Sequence, residues 1–152
     1  MHLKQHIAAS AAVSTGIFAA TGSWPMAVSS FLAGFLLDLD HLIDYWIEYP
    51  FNIDISRFFK ACHNCELTKT RLYLHSFELV LALAASAYLT RSSVITAVTL
   101  GLAQHMALDQ LINSVRPAGY FLIYRYSKGF LADRIFTNAH KPGDSNGNDQ
   151  RT

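Results

Sequence analysis

The sequence predicts an all-α protein: an antiparallel helical bundle of four long helices plus short helices, with a polar, metal-type site at one end. Apolar stretches of helical length alternate with short Gly, Pro and Ser turns, and residues 5–37 contain no Asp, Glu, Lys or Arg. Directly after that stretch, Leu37-Asp38-Leu39-Asp40-His41-Leu42-Ile43-Asp44 packs four ionisable side chains together. Charged groups at the end of an apolar helix must be paired, hydrated or bound to a metal, because an isolated buried carboxylate loses more hydration than packing returns. If a metal is the reason, other Asp and His residues have to converge on the same point.

The 152 residues suit one domain, over residues 1–137, with a polar, Gly-containing tail over 138–152 that reads as disordered. A chain that is 51% hydrophobic and 15% charged is greasier than an ordinary soluble protein, which points to a membrane-associated or unusually buried helical domain. The net charge of +1 gives no overall pull toward nucleic acid, and none is expected as a partner. Cys62 and Cys65 form one C-x-x-C, without the second pair a structural zinc site needs, and Glu66 follows where a haem attachment motif has His. Two thiols in a connector of a reducing compartment is the reading preferred over a redox or metal role. Lys4 precedes an apolar run as in a signal peptide, but the run continues into Trp24-Pro25 without a small-x-small cleavage context.

Ile7 to Gly22 is Ala-rich and reads as the first helix, closed by the turn Gly22-Ser23-Trp24-Pro25, where Ser23 can cap and Pro25 suits a first helical turn. The second helix is expected from about Pro25 to Tyr49, ended by Pro50, with the acidic cluster on its C-terminal half. A short amphipathic helix is expected around Ile55 to Cys62. Arg71 to Thr90 reads as the third long helix, Arg91-Ser92-Ser93 as a capped turn, and Ser93 to Asn113 as the fourth. Arg116-Pro117-Ala118-Gly119 breaks the fourth helix; the aromatic stretch Tyr120 to Tyr126 then leads to a short helix near Lys128 to Phe136. There is no internal repeat, nucleotide-binding glycine loop or G-x-S-x-G context.

Helices joined by short turns are antiparallel neighbours. The first therefore rises from His6 and the second descends to Asp38, Asp40 and His41, while the third rises from His75 and the fourth descends to His105 and Asp109. About 12 to 16 residues, roughly 20 Å of helix, separate each polar cluster from its turn. All the clusters land at one end. His105 and Asp109 are spaced i, i+4 and share a helical face; Asp38 with His41, and His75 with Glu78, are i, i+3; His2 with His6 is i, i+4. Asp40, about 160° around the helix from Asp38, either orients another ligand, pairs with Asp44, or enters the site where the helix frays. The metal-ligand candidates are His6, Asp38, His41, His75, His105 and Asp109. Against them stand plain alternatives: a capping or surface His6, a buried structural His75, and a hydrogen-bonded pair for His105 and Asp109. His63 and His140 fall in connector and tail and read as solvated.

These residues also carry a resemblance. Asp38-Leu-Asp-His41, Arg71-Leu-Tyr-Leu-His75-Ser76, and Gly101-Leu-Ala-Gln-His105-Met-Ala-Leu-Asp109 followed by Pro117-Ala-Gly119 resemble, in order, the motifs of the YdjM-like family of membrane-bound metal-dependent hydrolases. The similarity covers about residues 1–136, and His6 matches an early family histidine. The H-x-x-x-D element is also distantly similar to one in zinc-dependent phospholipases C and related nucleases. Leu37 stands where the family has proline, and Thr70 where it has the first His of H-R-x-x-x-H. The resemblance implies one or two divalent ions, zinc first and manganese or iron as alternatives for oxygen and nitrogen ligands, that activate water. It implies Asp40 as an orienting residue or general base and Arg71 as the group that stabilises an anionic transition state. A phosphoester in a lipid or small metabolite is the substrate class, by analogy.

Two other classes remain open: a non-catalytic helical membrane protein whose Asp/His cluster is structural or only binds metal, and an ion or proton pathway. The pathway is disfavoured by ionisable groups gathered at one end instead of spaced along the helices. Arg57, Lys60, Lys69, Arg71, Arg116, Arg125, Lys128 and Arg134 fall at the site end and Arg91 alone at the other, so an embedded bundle is expected to face its site to the cytoplasm of a bacterial-type inner membrane. The apolar stretches are short for full spans, which need about 20 residues, so a cytoplasmic location stays as the alternative.

Overall fold

A computed structural model describes residues 3–64 and 66–139; over them the chain is all-α, with no strand and two isolated bridges, Lys69 to Leu131 and Val115 to Phe136. The expectations for His2, Cys65, the His63 side chain and the tail from His140 onward lie outside the described residues.

Helix α1 spans Leu3–Thr21, which takes His6 inside the helix although the pattern begins at Ile7. Gly22, at φ +64°, turns the chain and its N–H bonds the Phe18 carbonyl at 2.7 Å. Helix α2 (Trp24–Leu36) has Pro25 in its first turn; Ser23 is its N-cap residue by position, without a side-chain cap bond. The helical stretch expected from about Pro25 to Tyr49 runs from Trp24 to Glu48, but not as regular α-helix throughout: a 3₁₀ turn, Leu37–Leu39, separates α2 from α3 (Asp40–Glu48). A 3₁₀ turn has 3.0 residues per turn and eclipses positions i and i+3, so it keeps Asp38 and His41 together while changing the angular phase of the residues after it. Asp40 and Asp44, one α-helical turn apart, are buried on their own side.

Helix α4 (Ile55–His63) begins at Asp54, whose side chain accepts the Arg57 N–H at 3.0 Å. The third long helix is shorter than expected. Thr70–Ser76 is irregular, and α5 (Phe77–Thr90) starts only where the Ser76 hydroxyl accepts the Leu79 N–H at 3.2 Å. His75 and Glu78 therefore do not share a helical face. Arg91 closes α5 in the left-handed region, and Ser92 caps α6 (Ser93–Ile112). Within the aromatic stretch lies a helix the sequence pattern missed, α7 (Leu122–Ser127); α8 is Ala132–Ile135, shorter than expected. The start of α7 is made by tertiary structure. Glu78 on α5 accepts the N–H groups of Leu122 and Ile123 at 2.9 and 3.1 Å, a cap no local signal announces.

Helices α2 and α6 form the central pair, α1 packs on both, and α5 packs chiefly on α6. Their shared interior is small: Ser10 and Ser14 from α1, Ala27, Ser30 and Gly34 from α2, Ala97 and Gly101 from α6. A Cβ on Gly101 would overlap the Ser30 carbonyl, so α2 and α6 meet backbone to backbone. Many large apolar residues of the Trp24–Glu48 stretch lie outside this interior, with Trp24, Val28, Leu32, Leu36, Leu39, Ile43 and Trp46 exposed. Larger buried apolar side chains cluster near the polar end, where Leu37, Leu102, Met106 and Tyr120 pack together.

Candidate metal centre

Three helices, a 3₁₀ turn and one irregular segment bring the six predicted ligands into a single cluster. They form two groups of donors: His6, His105 and Asp109, all buried, and Asp38, His41 and His75, of which only His75 is fully buried. The i, i+4 spacing of α6 sets His105 Nε2 3.4 Å from Asp109 Oδ2. From α1, His6 places Nε2 3.1 Å from Asp109 Oδ1 and stacks its ring on His105, with centroids 3.9 Å apart. His75 Nε2 lies 3.3 Å from His105 Nε2 and 3.9 Å from Asp109 Oδ2. Asp38 Oδ1 closes the group at 3.8 Å from His75 Nε2 and 3.5 Å from His105 Nε2. His41 stands edge-on to His75, with ring centroids 4.9 Å apart.

Neighbouring atoms fix which nitrogens face the centre. Nδ1 of His105 lies 2.7 Å from the Gly34 carbonyl, which only accepts; that nitrogen carries the proton and Nε2 of the neutral ring is a bare lone pair. His75 Nδ1 faces Asp40 Oδ2 at 3.5 Å, with the same consequence. The two lone pairs thus lie 3.3 Å from each other and 3.4 to 3.9 Å from the two carboxylate oxygens. Like-signed acceptors repel at such distances, so the group is suited to a positive species. A proton on His75 is one: burial opposes it, but hydrogen bonding to Asp38 and Asp40 and the field of Asp109 raise the His75 pKa above the ordinary histidine value. A proton bridges one edge of the group, whereas a metal ion could be held by several of these donors at once. A tetrahedron with bonds of about 2.0–2.2 Å has edges of about 3.3–3.6 Å; three of the five separations fall in that range, and those from His75 Nε2 to Asp38 and Asp109 are wider, at 3.8 and 3.9 Å.

The two residues expected to act in catalysis sit at the edge of this cluster. Asp40 Oδ2 accepts the Leu74 N–H at 2.7 Å and the His75 N–H at 3.4 Å besides facing the imidazole, so of the roles open to it the geometry is that of an orienting residue. Arg71 turns its guanidinium to Asp44, at 3.5 Å. The Asp38 side chain is 23% exposed while those of His6, His75, His105 and Asp109 are at most 3% exposed, so the cluster opens toward water past Asp38 and the half-buried His41.

Sequence reasoning missed three participants. The Gly34 carbonyl carries no side-chain signal at all. Asp44, read only as a pairing partner for Asp40, instead accepts the N–H groups of Arg71 and Leu72 at 2.6 and 3.1 Å. Arg125, counted only as a positive charge, is completely buried; burial lowers its pKa, against the opposing pull of Asp40 and Glu78. A lone cation between Tyr124 and Tyr126 in an apolar stretch was the one available hint. Compared with family models, curated proteins and solved structures, the chain matches none.

Proposed function

We propose that this chain is a membrane-embedded, metal-dependent hydrolase of a phosphoester in a lipid or small metabolite. The observation that carries the reading is the convergence of Asp38 Oδ1 and Asp109 Oδ2 to within 3.4 to 3.9 Å of both His75 Nε2 and His105 Nε2, with the Nδ1 atoms of the two rings facing acceptors elsewhere. Those four residues would hold the ion, and His6 and His41 on either side extend the donor set toward a second. Zinc is the first candidate and manganese or iron the alternatives for mixed nitrogen and oxygen donors. When bound, such an ion lowers the pKa of a water and polarises the scissile group.

The chain's own residues do the rest. The Gly34 carbonyl and Asp40 hold the Nδ1 protons and so keep both Nε2 atoms aimed inward. Asp38, the most exposed of the four donors, would border an attacking water. The phosphoester, and hydrolysis itself, rest on the motif resemblance to YdjM-like hydrolases, carried by Asp38 to His41, Arg71 to Ser76 and His105 to Asp109. The threonine that replaces a family histidine, Thr70, is buried with its N–H on the Phe130 carbonyl, and the four-atom centre needs nothing from it.

Support for a bilayer comes from which residues face outward. The Trp24–Glu48 stretch is 25 residues long and apolar enough to cross a membrane. Small residues at the helix contacts with large apolar ones outside is the arrangement expected where lipid, not water, surrounds the bundle. The site end, rich in Lys and Arg, would face the cytoplasm.

Metal analysis of the detergent-purified protein, followed by a phosphoester, ester and amide panel, tests the proposal. Stoichiometric metal with hydrolysis is the expected result. Retained metal without turnover would favour a non-catalytic metal-binding protein, a reading helped by the burial of four of the donors. No metal, and no effect of chelator on melting, would overturn both. Recovery as a stable soluble species without detergent would remove the bilayer.

A further inference from the structure

His75 is carried by irregular backbone, and buried N–H and C=O groups outside a helix or sheet must be satisfied one by one. Side chains from α3 and α7 do this from opposite sides. On the amide side, Asp44 holds Arg71 and Leu72, and Asp40 holds Leu74 and His75. On the carbonyl side stands Arg125, whose Nη1 donates to the His75 carbonyl and Nη2 to the Leu72 carbonyl, both at 2.8 Å. Leu72, whose carbonyl meets the guanidinium, takes φ +43°, a conformation uncommon for a residue other than glycine.

The helix that carries Arg125 is itself tied to the segment it grips. Glu78, three residues after His75, caps α7, and the Phe77 N–H bonds the Tyr120 carbonyl at 3.1 Å. The loop is closed: α5 positions α7, α7 positions Arg125, and Arg125 fixes the two carbonyls that bracket Tyr73 and Leu74. A buried guanidinium gives up its hydration, and it is kept where its planar fork does what a point charge does not.

We infer that Arg125 is a positioning residue for the metal centre, clamping Leu72 and His75 by their carbonyls so that the His75 imidazole points at Asp38, His105 and Asp109. This rests on the metal reading proposed for the cluster, and the test separates the two. Arg125→Lys keeps the charge and loses the fork; Leu83→Ala, which truncates an apolar side chain packed against the core on α5, serves as a variant that is destabilised for another reason.

Two measurements are made on the full chain in detergent: cobalt(II) titration followed by its visible absorption, and hydrogen exchange of the metal-free protein resolved over residues 70–76. For Arg125→Lys the expected results are a 10- to 100-fold weaker cobalt affinity, a changed absorption band and faster exchange in 70–76, the affinity loss being typical of an outer-shell partner. For Leu83→Ala the expected result is wild-type cobalt affinity and absorption. Wild-type affinity, spectrum and exchange in Arg125→Lys would overturn the inference, as would the same affinity loss in Leu83→Ala. A wild type that takes up no cobalt sinks the metal reading instead, and the clamp is then decided by exchange alone: selective acceleration in 70–76 upholds it and none overturns it.

Discussion

The two halves of the cluster are built differently. His6, His105 and Asp109 stand on the unbroken helices α1 and α6, are all buried, and owe their aim to helical spacing and close packing. Asp38, His41 and His75 stand on a 3₁₀ turn, the first turn of α3 and an irregular segment, and two of the three are only half-buried. The helical half needs few outside supports, the chief one being the Gly34 carbonyl on His105. The irregular half needs Asp40, Asp44 and Arg125 to hold its backbone. Under the proposed function, the buried donors on regular helix would set a cation's position, and the more exposed donors on irregular backbone would leave room for substrate. That division predicts different consequences for damage on each side.

The largest effect is expected on the helical side. Asp109 touches His6 through one oxygen and His75 and His105 through the other, so Asp109→Asn removes a charge that three imidazoles face. Breaking a buried charged group out of its partners costs about 3–5 kcal/mol. Metal content should fall to trace, and chelator should lower the melting temperature of the wild type but not of the variant, because ligation contributes about 2.7 kcal/mol when free metal is a hundredfold above its Kd. Equal chelator shifts in both would show that Asp109 is no ligand.

Asp40→Asn tests the other half. The amide still accepts from Leu74 and His75 through its oxygen but no longer offers a charge to the His75 ring, so a 10- to 100-fold loss of metal affinity is expected with a stability loss of only about 1–3 kcal/mol. A larger stability loss than that of Asp109→Asn would reverse the assignment of rigid and supported halves. Calorimetric metal titration alongside thermal melts reads both quantities.

A pH series sharpens the comparison further. The His75 pKa is raised in the metal-free fold, so its contribution to stability is complete below the unfolded value of about 6.5 and is lost as pH rises through the folded value. Ligation needs the imidazoles deprotonated, so the contribution of metal runs the opposite way and grows with pH. Above about pH 6.5 the His75 contribution should slope downward in chelator and the metal contribution upward in loaded protein. Melting curves in which chelator and metal give parallel pH slopes would count against metal at His75. The smallest effect belongs to a residue in neither half: Leu32→Ser, at an exposed position of α2, should leave metal content unchanged and alter stability in detergent by less than about 0.5 kcal/mol.

The same contrast separates what was legible from what was not. Helix α6 needed only its own residues: Ser92 to cap it, a long apolar run, and His105 and Asp109 four apart, which sequence spacing alone puts on one face. The all-α fold and the gathering of polar residues at one end came from short turns between apolar helices. Where the backbone leaves regular structure, sequence periodicity fails, because it assumes a constant angle per residue. The second helix was expected to run unbroken through Asp38 and Asp40, and the 3₁₀ turn changed the phase; the third was expected to contain His75, which lies outside it.

By itself, then, the sequence determined which residues are apolar enough to form the long helices and which donors lie at their ends, since both depend on side-chain chemistry and local spacing. Tertiary structure decided the rest. The tautomers of His75 and His105, the cap that starts α7, and the buried seat of Arg125 each depend on a partner 30 or more residues away along the chain, where no local pattern reaches.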